Sequence, residues 1–62
     1  MTSNRLLDVE VEVLYKDRWV PGWLDPTTWR KRDGRWFAAV RFQPAPQENH
    51  LDIVHQDGVR PA

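Results

Sequence analysis

The chain has no cysteine among its 62 residues, which excludes disulfides and thiolate metal sites. Two histidines, His50 and His55, are too few to build a buried structural metal site by themselves. Nine Lys and Arg balance nine Asp and Glu, so the composition argues against a strongly basic surface that coats nucleic acid. No apolar run approaches the roughly 20 residues of a membrane span, and no signal-like segment follows Met1. These absences predict a small cytoplasmic protein without a metal, a cofactor or a membrane partner.

Aromatic residues are plentiful, with four Trp, two Phe and one Tyr. A chain of this size buries only roughly 60% of its unfolded surface, so large rings help to stabilise a minimal core. We expect residues 1–7 to form a frayed N-terminus and residues 8–62 a single domain.

The first half of the chain begins with polar and apolar residues that alternate as in a β-strand. Three acidic residues from Asp8 onward alternate with Val9, Val11 and Val13, which is the period of a half-buried strand. A polar break at residues 16–18 predicts a hairpin connection to a second strand over residues 19–24. Pro21 and Gly22 within that strand indicate an edge position, a bend or a bulge.

The second half contains the clearest turn signal. Asp33-Gly34 between strand-forming residues predicts a type I′ hairpin, with Arg32 opposite Arg35 and a third strand over residues 35–42. The alternative is a long mobile loop over residues 25–34. Two prolines predict a loop over residues 43–49, followed by a short strand at 51–54, a turn at 56–58 and a final strand or turn at 59–61. The predicted core consists of Val11, Val13, Val20, Leu24, Val40 and Leu51.

About five short strands with no amphipathic helix predict an all-β fold, a small antiparallel barrel. The order of an alternating Val strand, Trp19-x-x-Gly22, Asp33-Gly34-x-Trp36, Val40-x-Phe42 and Val59-Arg60-Pro61 resembles the Tudor and agenet group of SH3-like barrels. It is also similar to small actinobacterial proteins with a WVPGWL…W…DGRW…V-R-[FY] core. The resemblance covers roughly residues 9–61. It implies an SH3-like (Tudor-like) barrel, and it places Tyr15, Trp19 and Phe37 nearest to the aromatic cage that binds methylated Lys or Arg in the Tudor group.

The residues favour binding over catalysis. There is no cysteine nucleophile, no hydroxyl residue has a histidine near it in sequence, and a barrel of this size has no interior cavity for a substrate. We therefore expect a non-enzymatic module that binds a protein or peptide partner, or a second copy of itself, through an exposed aromatic strip. The candidate protein-binding residues are Tyr15, Trp19, Trp23 and Phe37. The alternative for Trp19 and Trp23 is that their rings lie flat over the barrel end or under the loop over residues 44–49.

The segment over residues 30–35, which has a net charge of +3, gives a second hypothesis. Its cations lie near Trp29 and Trp36, a combination that would bind a nucleic-acid backbone while rings stack on bases. The candidate nucleic-acid-binding residues are Arg30, Lys31, Arg32, Arg35 and Arg41. The alternative is a hairpin tip that is only solvated.

Overall fold

The structure, a computed structural model, describes residues 8–62, so the expectation for residues 1–7 lies outside the described residues. Six antiparallel strands form one curled sheet with the shape of a half-barrel, and no α-helix occurs in residues 8–62. The strands are β1 (Val9–Tyr15), β2 (Arg18–Leu24), β3 (Arg30–Arg32), β4 (Arg35–Ala45), β5 (Glu48–His55) and β6 (Val59–Pro61). The predicted all-β class is confirmed.

The long strand β4 organises the sheet. One of its edges pairs with β3 and, further along, with β2, while its other edge pairs with β5. Strand β2 continues the sheet to β1, and β1 pairs with the last strand, β6. Because β3, β5 and β6 each pair with one strand only, each of them has an open edge.

Two-residue turns join the first two strands and form the tip of the β3–β4 hairpin. Lys16 and Asp17 have φ of 49° and 64°, and Asp33 and Gly34 have φ of 50° and 79°. Positive φ at both central residues is the type I′ geometry, whose twist matches that of the flanking strands. The predicted pairing of Arg32 with Arg35 is confirmed.

A single turn of 3₁₀-helix, Pro26–Thr28, fills the gap between β2 and β3 along the edge of β4. The Asp25 N–H donates to the Ala39 carbonyl at 3.1 Å, and the Ala39 N–H donates to the Thr28 hydroxyl at 2.8 Å. This turn therefore satisfies the backbone of β4 where the two ladders leave it unpaired. The segment 25–34 is thus an ordered turn and hairpin rather than a long loop. Trp29 lies just before β3.

The core lies on the concave face of the sheet and consists of Val11, Val13, Val20, Leu24, Ala38, Val40 and Phe42. At Gly22 the strands come so close that an added Cβ would lie 2.9 Å from the Arg41 carbonyl oxygen, which explains the glycine. Five of the six predicted core residues are buried. Leu51 is not: 73% of it is exposed, so that prediction is wrong.

The predicted loop over residues 43–49 is also wrong. Strand β4 continues to Ala45, a two-residue turn at Pro46 and Gln47 follows, and β5 begins at Glu48. Two prolines fit here because Pro46 occupies the turn and Pro44 lies where the ladder is irregular, between the Phe42 and Ala45 pairs.

Candidate functional site

The convex face of the sheet carries a group of exposed and half-buried apolar side chains on three neighbouring strands. We call this group the outer patch: Trp23 on β2, Phe37 and Ala39 on β4, and Leu51 and Ile53 on β5. Trp23 is 46% exposed, Leu51 73% and Ile53 63%. Register holds them together, since Arg41 lies between Trp23 and Leu51, and Ala39 lies opposite Ile53.

A β-bulge places Leu51 and Ile53 on this face. Ala45 lies opposite Glu48 and Phe42 opposite His50, so three steps along β4 match two along β5. Regular pairing from the same turn would place Leu51 opposite Phe42, on the core side. A shift of one residue moves every later side chain of a strand to the other face. The bulge therefore faces His50, Asp52 and Val54 inward and leaves the two large aliphatic residues outside.

Arg41 lies in the middle of the outer patch but does not carry a free charge. Its guanidinium forms an ion pair with the carboxylate of Asp8, whose side chain is only 7% exposed. An arginine held in this way presents its flat apolar stem beside Trp23 and Leu51. It was predicted among the nucleic-acid-binding residues, and the structure places it away from them, beside the outer patch.

Two of the four candidate protein-binding residues, Trp23 and Phe37, belong to the outer patch. The ring of Phe37 meets that of His55 edge-on, with centroids 5.2 Å apart. Trp19 points to the same side of β2, but the Arg60 guanidinium covers it at 4.1 Å from the ring centroid. Arg60 is itself held by Glu12, whose Oε1 accepts from Arg60 Nε at 2.7 Å.

Tyr15 lies on the opposite, concave face and packs against the core. Its ring centroid is 5.4 Å from that of Phe42 and 5.2 Å from that of His50, and the last two rings stack at 5.1 Å. Rings at these spacings fill the space between them. Trp19 and Phe37 lie beyond opposite ends of the short β2–β4 ladder, which runs from Gly22 to Leu24. The structure therefore does not gather Tyr15, Trp19 and Phe37 into one cage.

Hydrogen bonds fix this concave aromatic cluster. The Glu48 carboxylate meets His50 Nε2 at 2.9 Å and accepts from the Tyr15 hydroxyl at 3.2 Å. The bond with His50, followed by that from Tyr15, lowers the pKa of Glu48 below its ordinary value. The carboxylate thus joins the β1–β2 turn to the β4–β5 turn.

The four remaining candidate nucleic-acid-binding residues do lie together. Arg30, Lys31, Arg32 and Arg35 are all exposed on the β3–β4 hairpin. Trp36, which is 44% exposed, lies opposite Lys31, and its ring meets that of Trp29 edge-on at 6.5 Å. This hairpin is the second candidate surface.

The two histidines lie on opposite faces of the sheet, because His50 pairs with the buried Phe42 and His55 with Phe37. His55 Nδ1 accepts from the Asp57 N–H at 3.2 Å. Its buried Nε2 has no hydrogen-bond partner within residues 8–62. Across those same residues, no group of three or more His, Asp or Glu could hold a metal ion, and no helix is long and apolar enough to cross a membrane.

Sequence reasoning missed Leu51 and Ile53 as surface residues. Their two-residue spacing fits a core face as well as an outer face, and only the bulge decides between the two. The available signal was Pro44, since a proline inside a strand marks an edge or a bulge. It also missed Gln56, whose Oε1 accepts from the Trp36 N–H at 3.1 Å beside the Trp29–Trp36 pair.

Comparison with known proteins identifies no relative of this chain. The chain matches no protein-family model, no curated protein and no solved structure. What it shares with small barrels is therefore the curled antiparallel sheet itself.

Proposed function

We propose that this chain is a non-enzymatic, Tudor-like SH3-like interaction module that binds a protein partner through the outer patch. The observation that carries the proposal is the exposure of Trp23, Leu51 and Ile53 on one face, where the stem of the ion-paired Arg41 lies between Trp23 and Leu51. Contiguous apolar surface of this kind is uncommon on a soluble domain and marks sites of protein contact.

The surroundings of the outer patch resemble the rim of an interface. His55 borders the patch beside Phe37, and Glu10 lies opposite Trp23 on β1. A central apolar group with a polar rim is the usual composition of a protein–protein contact, and a tryptophan at its centre is a common energetic anchor. The open edge of β5 adjoins the same face and supplies free backbone groups to an incoming strand.

The family assignment is supported by where the motif residues lie. Gly22 sits at the closest approach of β2 to β4, and Asp33-Gly34 forms the tight turn before Trp36. The final strand returns to pair with β1. The dispersed positions of Tyr15, Trp19 and Phe37 favour the outer patch over an aromatic cage as the binding surface.

The proposal is tested by selecting peptides from a displayed random library and mapping the selected peptide by NMR. We expect amide shift changes at residues 23, 39, 51 and 53. Replacing both aliphatic residues, Leu51→Asp with Ile53→Asp, should weaken binding at least tenfold, because exposed apolar anchors contribute ~2 kcal/mol or more at an interface centre. A second copy of the chain counts as a partner and is detected by sedimentation velocity.

The matched control is Leu14→Asp. Leu14 is 44% exposed and lies on the same convex side, but on β1, two strands away from β4. The control should bind peptide as the wild type does. Equal loss in the control and the double variant, or shift changes confined to other residues, would contradict the proposal.

A further inference from the structure

The β3–β4 hairpin forms a basic arm, which comprises residues 29–36. It carries a net charge of +3 over residues 30–35, in a chain whose total charge is zero. Strand β3 pairs with β4 alone, so its outer edge is open. The arm therefore concentrates positive charge on a narrow ribbon.

The cations of the arm lack acidic partners within residues 8–62. Ion pairs there join Arg41 to Asp8 and Arg60 to Glu12, and each histidine lies beside a carboxylate. Arg41 and Arg60 are thus neutralised, whereas the cations of the arm, like Lys16 and Arg18 at the β1–β2 turn, have no acidic partner in this part of the chain. Arg32 even lies opposite Arg35, a like-charge pair that costs stability. Such a pair is expected where a ligand supplies the missing negative charge.

An exposed ring lies among these charges. Trp36 and Lys31 share one face of the arm, while Arg30, Arg32 and Arg35 lie on the other. Together with Trp29 and Gln56, Trp36 lines an open notch of about 470 Å³. The side-chain oxygen of Gln56 accepts from the backbone N–H of Trp36. The side-chain NH₂ of Gln56 has no acceptor within residues 8–62 and can donate to a ligand.

We propose that the basic arm binds single-stranded nucleic acid. The three arginines and Lys31 contact consecutive phosphates across the open edge of β3, and one base stacks on Trp36 in the notch. Cations that follow a backbone, combined with an aromatic platform, are the requirements for this ligand. A duplex fits less well, because its bases are already stacked and Trp36 would have no partner. This surface is separate from the outer patch and does not rest on the proposed function.

The test is fluorescence anisotropy with a labelled single-stranded oligothymidine and with a duplex of equal length, each measured over a range of salt. We expect tighter binding of the single strand and a log–log salt slope near −3, since four phosphate contacts contribute about −0.7 each. Arg32→Ala with Arg35→Ala should reduce that slope to about −1.5. Trp36→Leu should weaken binding roughly tenfold with little change in slope, and Trp36→Phe should restore part of the affinity.

The matched control is Lys16→Ala with Arg18→Ala. Lys16 lies within the other type I′ turn and Arg18 directly follows it, both exposed, so the control removes the same charge elsewhere. It should leave the slope near −3. Three results would overturn the proposal: no binding at low salt, equal loss in the control and arm variants, or equal duplex binding that does not depend on Trp36. Circular dichroism of each variant confirms that the sheet is retained.

Discussion

At the residue scale, Leu24 and Leu51 show that the same type of side chain is buried at one position of the sheet and exposed at another. Leu24 is 4% exposed, in the core beside Val40, whereas Leu51 is 73% exposed on the outer patch. Burial, not residue type, decides what each contributes to stability.

The same substitution at both sites should therefore have different effects. Leu24→Ala should lower the free energy of unfolding by ~2–5 kcal/mol, because it removes buried contacts and leaves a cavity. A domain of this size has only ~5 kcal/mol to lose, so this variant should be largely unfolded. Leu51→Ala should change stability by less than ~0.5 kcal/mol. Urea denaturation followed by tryptophan fluorescence measures both, and a larger loss for Leu51→Ala would contradict the placement of β5.

Asp25 caps the N-terminus of the 3₁₀ turn Pro26–Thr28, and this cap gives a prediction for the pH dependence of stability. Thr27 donates to Asp25 Oδ1 through its hydroxyl at 2.7 Å and its backbone N–H at 3.0 Å, and these bonds lower the pKa of Asp25. A carboxyl group whose pKa is lower in the folded state stabilises the protein at pH values above its unfolded-state pKa. That stability is lost as the pH falls through the folded-state pKa.

Thr27→Val removes the hydroxyl bond and should raise the pKa of Asp25 toward its ordinary value. Loss of the cap on acidification should then begin at a higher pH. A carboxyl ¹³C NMR titration measures the change, with Glu48 as the internal control because its partners are His50 and Tyr15. An unchanged Asp25 titration would show that the hydroxyl does not hold the carboxylate.

At the element scale, the bulge in the β4–β5 hairpin determines which side chains form the outer patch. It absorbs one extra residue of β4 between Phe42 and Ala45. Bulges commonly redirect side chains at sheet edges, and here the redirected residues are Leu51 and Ile53.

Deleting Pro44 should remove the extra residue and leave a continuous ladder in which Phe42 still faces His50. Leu51 and Ile53 should then stay exposed, and peptide binding should persist. Cross-strand backbone NOEs between residues 42 and 50 report this register, with the Val40–Asp52 pair as a second check. NOEs between residues 42 and 51 would instead show that Pro44 is needed to hold the register.

At the scale of the whole molecule, the two candidate surfaces are separate. The outer patch lies on the convex face of β2, β4 and β5, whereas the basic arm extends along β3 and the first residues of β4. Effects of substitutions without shared contacts are usually additive.

Because the two surfaces are separate, substitutions in one surface should not weaken binding at the other. The Leu51→Asp, Ile53→Asp variant should bind oligothymidine within twofold of the wild-type affinity, and the Arg32→Ala, Arg35→Ala variant should bind the selected peptide as the wild type does. Anisotropy and NMR titration of both variants with both ligands complete the comparison. Loss of both ligands in either variant would indicate one shared site or a damaged fold.

Features that depend on local chemistry could be predicted from the order of the amino acids alone. Alternating valines defined β1, Asp33-Gly34 defined the arm and its register, and the buried residues of β1, β2 and β4 followed from the period of two. The cluster of arm cations also followed, because residues 30–35 are consecutive and a tight hairpin keeps them together.

Features that depend on pairing between distant segments required the folded chain. Whether Leu51 faced the core depended on a bulge that a single strand pattern does not reveal. Arg41 was neutralised by Asp8 and Trp19 was covered by Arg60, both across more than 30 residues of chain. Tyr15 was directed inward by packing against Phe42 and His50. Alternation tells which residues share a face of one strand, but the register between strands decides which face is buried and which charges meet.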